Sequence, residues 1–164
     1  MTTDKNLRPS LDATGFKPVG FLNEISDIEA VAISLLRSWC NGNDEQFEMT
    51  SKLILYLGKE KGFEARSNLN ELCKILFYRS RRNFMCHNSD CYCIGAHEAY
   101  FANIILALAN EEIEEAKILA SLFLDTNIIG NFLEIAKIFS ATAQLIHKSK
   151  LNIQSPSHLR TQIQ

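Results

Sequence analysis

Residues 85–109 read MCHNSDCYCIGAHEAYFANIILALA and join a Cys/His-rich segment directly to a strongly apolar one. The second part, residues 96–109, is apolar on nearly every side of a helix, which predicts a central, buried helix. The Cys/His-rich segment, residues 86–97, overlaps the start of this helix and gathers three of the five cysteines and two of the four histidines into a dozen positions. We therefore expect the rest of the chain to pack as helices around this segment.

Five further helices are indicated by apolar residues at helical spacing and by residues that favour helix starts. Ser26 and Glu29 have the spacing of a capping box. The second helix should end between Gly58 and Gly62, and Ser67 should start the third. The other predicted starts are Asn43, residues 110–112 and residues 125–127. The pattern predicts an all-α, compact single-domain bundle of about six helices, with a Cys/His-rich loop before the central helix.

The length of 164 residues suits one domain. We assign residues 1–22 to a flexible N-terminal arm, residues 23–148 to the helical domain and residues 149–164 to a flexible C-terminal tail. No apolar signal core or membrane-spanning run is present, so we expect a cytoplasmic protein without membrane contact. The net charge of −2 makes nucleic acid an unfavoured partner.

Four residues of the Cys/His-rich segment suggest a metal site. His87, Cys91, Cys93 and His97 follow an H-x3-C-x-C-x3-H pattern, with Cys86 as a fifth soft ligand beside the first histidine. Two cysteines and two histidines are a common structural zinc set, which makes zinc the expected ion. In a reducing cytoplasm we expect no framework of structural disulfides.

Two other interpretations of this segment stay open. In one, Cys91 and Cys93 are small buried fillers and the histidines form local hydrogen bonds. In the other, Cys93 is a reactive thiol near a helix N-terminus and Arg81 or Arg82, with Cys91 or Cys86 as its resolving partner. The three interpretations use the same residues for different chemistry.

Common enzyme motifs are missing from the sequence. His97-Glu98 begins like a zinc-protease helix, but Phe101 stands where the second histidine is required. The cluster of Arg79, Arg81 and Arg82 is typical of a helix's last turn, where the helix dipole favours cations. We therefore expect a small regulatory or adaptor protein rather than an enzyme, with a thiol-based redox protein or sensor as the alternative.

Residues 35–40, 82–85 and 87–102 together resemble a family of small uncharacterised bacterial all-helical proteins. The family pattern is His-x3-Cys-x-Cys-x-Gly-x-x-Glu-x-x-Phe-Ala, matched here from His87 to Ala102, and the resemblance extends to residues 35–40 and 82–85. The family tends to have a basic residue at the position of Cys86 and an acid at that of His97. The resemblance implies a helical fold and importance for His87, Cys91 and Cys93, but no substrate.

Apolar residues that fall off the main stripes of the second and sixth helices suggest a covered surface. They are Leu53, Leu55, Ile129 and Leu133. A homodimer or another protein could cover them. The sequence indicates no small-molecule substrate.

Overall fold

The computed structural model describes residues 17–154, and most of them are helical. The helices are α1 (Asp27–Cys40), α2 (Asn43–Leu57), α3 (Lys59–Tyr78), α4 (Ala96–Ala109), α5 (Ile113–Ser121) and α6 (Thr126–Gln154). Two short strands, β1 (Pro18–Phe21) and β2 (Cys93–Gly95), pair antiparallel, and a 3-10 turn, Leu22–Glu24, follows β1. The predicted helical bundle, with a Cys/His-rich loop before the central helix, is confirmed.

The ends of the predicted domain can be compared with the structure only in part. Residues 1–16 of the predicted arm and 155–164 of the predicted tail lie outside the described residues. Residues 18–21, assigned to the arm, form β1, and residues 149–154, assigned to the tail, belong to the last turns of α6.

The core lies around α4, as its nearly uniform apolar composition predicts. Eight of its fourteen residues are buried, and it packs against α1, α5 and α6. The long helix α6 contacts all five other helices and contributes Phe132 and Phe139 to the core, where Phe139 lies beside Phe101 of α4. None of the helices between residues 17 and 154 combines the length and apolar character that a bilayer crossing requires.

Most of the predicted helix starts are confirmed. At α1, the Ser26 backbone N–H donates to Glu29 Oε2 at 2.9 Å, and the Glu29 N–H donates to Ser26 Oγ at 3.4 Å. This is the predicted capping box. α2 begins at Asn43, and α5 and α6 begin within or directly after the predicted polar segments.

The predicted start of α3 at Ser67 is wrong, because the helix begins eight residues earlier at Lys59. Gly58 alone makes the turn from α2, with a φ of 86° that a residue with a Cβ rarely adopts. Gly62 does not end a helix but lies inside α3, where a Cβ would come within 2.8 Å of the Ile54 backbone. The glycine thus permits close packing of α2 on α3.

The arginine cluster also lies differently from the prediction. α3 ends at Tyr78 and Arg79 is its C-cap, so Arg81 and Arg82 lie beyond the helix. The Arg81 backbone N–H donates to the Phe123 carbonyl at 2.8 Å, which joins the segment after α3 to the turn between α5 and α6.

Two of the four residues chosen for a partner surface belong to the core. Leu53 is 2% exposed and Ile129 is 6% exposed, so these two side chains offer no surface to a partner. Leu133 is half-buried against the same core, and only Leu55 is largely exposed. The sequence pattern placed Leu53 and Ile129 outside the buried faces of α2 and α6. That was wrong because neighbouring helices contact α2 and α6 on more than one side.

Candidate metal and thiol site

The Cys/His-rich segment begins in an irregular connection, residues 79–92, between α3 and β2, and continues through β2 into α4. β2 is held by β1, with Phe21 opposite Cys93 and Gly20 opposite Ile94. The Leu22 N–H extends this pairing by donating to the Tyr92 carbonyl at 2.9 Å. The C-x-C segment is therefore fixed along its backbone by the strand that precedes α1.

Three of the four predicted ligands come together in this loop. His87 Nδ1 lies 3.0 Å from Cys93 Sγ and 3.5 Å from Cys91 Sγ. One donor atom from each of the three residues lies within 4.8 Å of the others. His87 is buried, whereas both cysteines are half-buried. A single ion could thus contact one imidazole nitrogen and two sulfurs.

The fourth predicted ligand, His97, has a different set of contacts. Its Nδ1 accepts the Met85 backbone N–H at 3.0 Å, and its ring stacks on Phe84 with centroids 5.2 Å apart. Burial, together with the positive charge of Arg82, lowers the pKa of His97 below its ordinary value. The geometry joins His97 to the aromatic core rather than to the group of His87.

Cys91 and Cys93 are joined by a disulfide, with their Cα atoms 5.5 Å apart. We expected no framework of structural disulfides, and this bond links residues only two positions apart, so it constrains little of the unfolded chain. The redox interpretation, in which Cys93 is the reactive thiol and Cys91 its resolving partner, requires this disulfide. The oxidised pair lacks the thiolates that bind zinc, so the two interpretations describe different states of the same sulfurs.

A buried ion pair, which we did not predict from the sequence, contacts the backbone of the loop from the protein interior. Arg37 Nε lies 2.7 Å from Glu98 Oε1, and the two side chains are 1% and 0% exposed. The same guanidinium donates to the carbonyls of Cys91 at 2.5 Å and Cys93 at 2.6 Å. One side chain of α1 therefore fixes the backbone of both candidate thiol ligands.

Glu98 holds the other side of the loop through backbone amides. It accepts the His87 N–H at 3.0 Å and the Gly95 N–H at 2.9 Å. Burial alone would raise the pKa of Glu98, but the hydrogen bonds from Arg37 and these amides outweigh it, and the pKa is lowered. Glu98 is thus a carboxylate that connects His87 to the first turn of α4.

The sequence contained signals for both residues. Glu98 stands three positions after Gly95, the spacing of a carboxylate that caps its own helix start. Arg37 lies four residues after the buried Ile33 and three before Cys40, so the three side chains share one face of α1. An arginine on that side of a buried helix needs an internal partner.

Cys86, proposed as a fifth soft ligand, contacts a different sulfur. Its Sγ lies 3.0 Å from Sγ of Cys40, and it is outside the group formed by His87, Cys91 and Cys93. The hydrogen bond with Cys40, with burial as a second cause, raises the pKa of the Cys86 thiol strongly. Cys86 is therefore a protonated thiol in a separate pair.

The residues that carry the family resemblance converge on this site. His87, Cys91 and Cys93 form the donor group, while Glu98 holds the backbone of His87 and Gly95. Comparisons with protein-family models, with curated proteins and with solved structures found no match to this chain. The family resemblance stays a prediction.

Proposed function

We propose that this protein is a small regulatory or adaptor protein whose loop binds one zinc ion through His87, Cys91 and Cys93 when both thiols are reduced. The observation that supports it is the convergence of the three donor atoms within 4.8 Å. Zinc accepts thiolate sulfur and imidazole nitrogen as ligands, and two thiolates neutralise its charge. A reducing bacterial cytoplasm would keep the thiols in the form that binds.

The surrounding contacts support a site that is ordered before the metal arrives. Arg37 fixes the carbonyls of Cys91 and Cys93, and Glu98 fixes the amide of His87. Because Arg37 and Glu98 neutralise each other, they order the loop without adding net charge. Little conformational entropy is then lost on metal binding, which favours affinity.

Three protein ligands leave the fourth position of a tetrahedral ion open. We infer that water or a donor from a partner protein fills it, since His97 is held by Met85 and Phe84. Tyr92, between the two cysteines, is 81% exposed, so a partner could reach the outer surface of the loop. In this proposal the partner recognises the loop with its metal bound.

A thiol-based redox protein is the second candidate, favoured by the disulfide between Cys91 and Cys93. His87 Nδ1, 3.0 Å from Cys93 Sγ, could exchange a proton with the thiol during reduction and oxidation. Zinc binding and disulfide formation exclude each other, because both use the same two sulfurs.

A zinc titration of the full chain against a chromophoric chelator tests the proposal. The reduced protein should bind one zinc per chain, and Cys91→Ser, Cys93→Ser and His87→Ala should each weaken binding by at least about tenfold. His97→Ala is the matched control and should stay within about threefold of the wild type. Zinc-free reduced protein with a reversible Cys91–Cys93 couple near the glutathione potential would support the redox candidate instead.

A further inference from the structure

A second pair of sulfurs lies outside the proposed zinc site. Cys40, the last residue of α1, has its Sγ 3.0 Å from Sγ of Cys86, which directly precedes His87 in the loop. Both are free cysteines and both are half-buried. The third free cysteine, Cys73, is 0% exposed in the core.

We propose that Cys40 and Cys86 are a second redox site, which forms a disulfide on exposure to a small-molecule disulfide such as oxidised glutathione. A disulfide bond is about 2.0 Å long, so the two sulfurs need to approach by only about 1 Å. Their partial exposure gives a small oxidant access that the buried Cys73 lacks. This inference does not depend on metal binding by the neighbouring residues.

The position of the pair links it to the loop. Arg37 lies one helical turn before Cys40 and holds the carbonyls of Cys91 and Cys93. A Cys40–Cys86 bond would join the same end of α1 covalently to the residue before His87. Oxidation would thus fasten the loop to α1 at a second point and make the loop more rigid.

The reaction balances as an exchange of disulfides. Cys40 loses its proton to water and attacks a sulfur of oxidised glutathione, which forms a mixed disulfide on Cys40 and releases one glutathione thiolate. Cys86 then attacks the Cys40 sulfur of the mixed disulfide, loses its proton to water as the new bond forms, and releases the second glutathione thiolate. Two protein thiols are oxidised by two electrons, and the two glutathione thiolates take up the two protons.

The test is incubation of the full chain with oxidised glutathione, followed by alkylation of the remaining thiols, digestion and mass spectrometry. We expect a cross-link between the peptides of Cys40 and Cys86, with Cys73 alkylated. The bond joins residues 46 positions apart, so the Tm should rise by an amount on the order of 10 °C. This rise should persist in Cys73→Ser and disappear in Cys40→Ser and Cys86→Ser.

The same oxidation in a Cys91→Ser/Cys93→Ser variant separates this inference from the zinc proposal. The Cys40–Cys86 cross-link should form there as well, even though zinc binding is lost. Stable glutathione adducts on Cys40 or Cys86 without a cross-link would overturn the inference. So would a wild-type cross-link from Cys86 to Cys91 or Cys93 in place of Cys40.

Discussion

Arg37 of α1 and Glu98 of α4 form an ion pair inside the protein, with Nε 2.7 Å from Oε1 and side chains 1% and 0% exposed. Between them they bind the backbone of three loop residues, since Arg37 donates to the carbonyls of Cys91 and Cys93 and Glu98 accepts the amide of His87. These are the three residues that we propose as zinc ligands. The pair therefore connects the helical core to the site.

Removal of the Glu98 charge should destabilise the protein strongly. In Glu98→Gln, Arg37 keeps its buried charge without a counter-ion, and we expect a loss of about 3–5 kcal/mol in the free energy of unfolding, measured by urea denaturation. Glu71→Gln is the matched control. It breaks an exposed pair with Lys74 and should cost about 0.5 kcal/mol or less.

The double variant Arg37→Met/Glu98→Met completes the comparison. It removes both charges and should be more stable than Glu98→Gln, although its loop loses the hydrogen bonds to the backbone. A Glu98→Gln variant as stable as the Glu71→Gln control would contradict the role given to the pair.

Two helical glycines should respond in opposite ways to the same substitution. Gly62→Ala puts a Cβ 2.8 Å from the Ile54 backbone, so α2 and α3 must separate, and we expect a loss of about 1–3 kcal/mol. Gly130→Ala in α6 meets nothing within 4 Å and should gain about 0.5–1 kcal/mol from helix propensity. Equal effects of the two substitutions on Tm would refute the close packing of α2 on α3.

His97 should make stability depend on pH below neutrality. In the folded protein, burial and the charge of Arg82 lower the pKa of His97 below its ordinary value of 6.5. The unfolded chain therefore binds the proton more tightly. Stability should thus fall as the pH drops below about 6.5, by at most about 1.4 kcal/mol per pH unit from this residue.

His97→Gln removes this titration and keeps a side-chain acceptor for the Met85 amide. Its stability should depend less on pH between about 7 and 5 than that of the wild type. The contribution of Glu98 is lost at lower pH, because its pKa is lowered from 4.5. An unchanged slope in His97→Gln would show that His97 does not titrate in this range.

Local sequence signals predicted most of the helices. The capping box of Ser26 and Glu29 marks the start of α1, and the apolar residues 96–109 coincide with α4. The start of α3 was missed, because glycine usually breaks a helix, whereas Gly62 is needed inside α3 for its contact with α2. β1 was missed because its four residues show no period of their own and it pairs with β2.

The candidate site was predictable only where its residues are close in sequence. His87, Cys91 and Cys93 lie within seven positions, so their spacing suggested a common site. The Arg37–Glu98 and Cys40–Cys86 contacts span 61 and 46 positions, and only the packing of α1 on α4 and on the loop brings them together. His97 has suitable spacing, but its ring belongs to the aromatic core beside Phe84.

X-ray absorption at the zinc edge tests the central claim most directly. Full-length protein, reduced and loaded with one equivalent of zinc, should show two sulfur ligands at about 2.3 Å and one imidazole nitrogen at about 2.0–2.1 Å. A fourth light-atom ligand should complete the shell, and the His97→Ala variant should give the same spectrum. A zinc shell without sulfur, or a spectrum that loses a nitrogen ligand in His97→Ala but not in His87→Ala, would contradict the site formed by His87, Cys91 and Cys93.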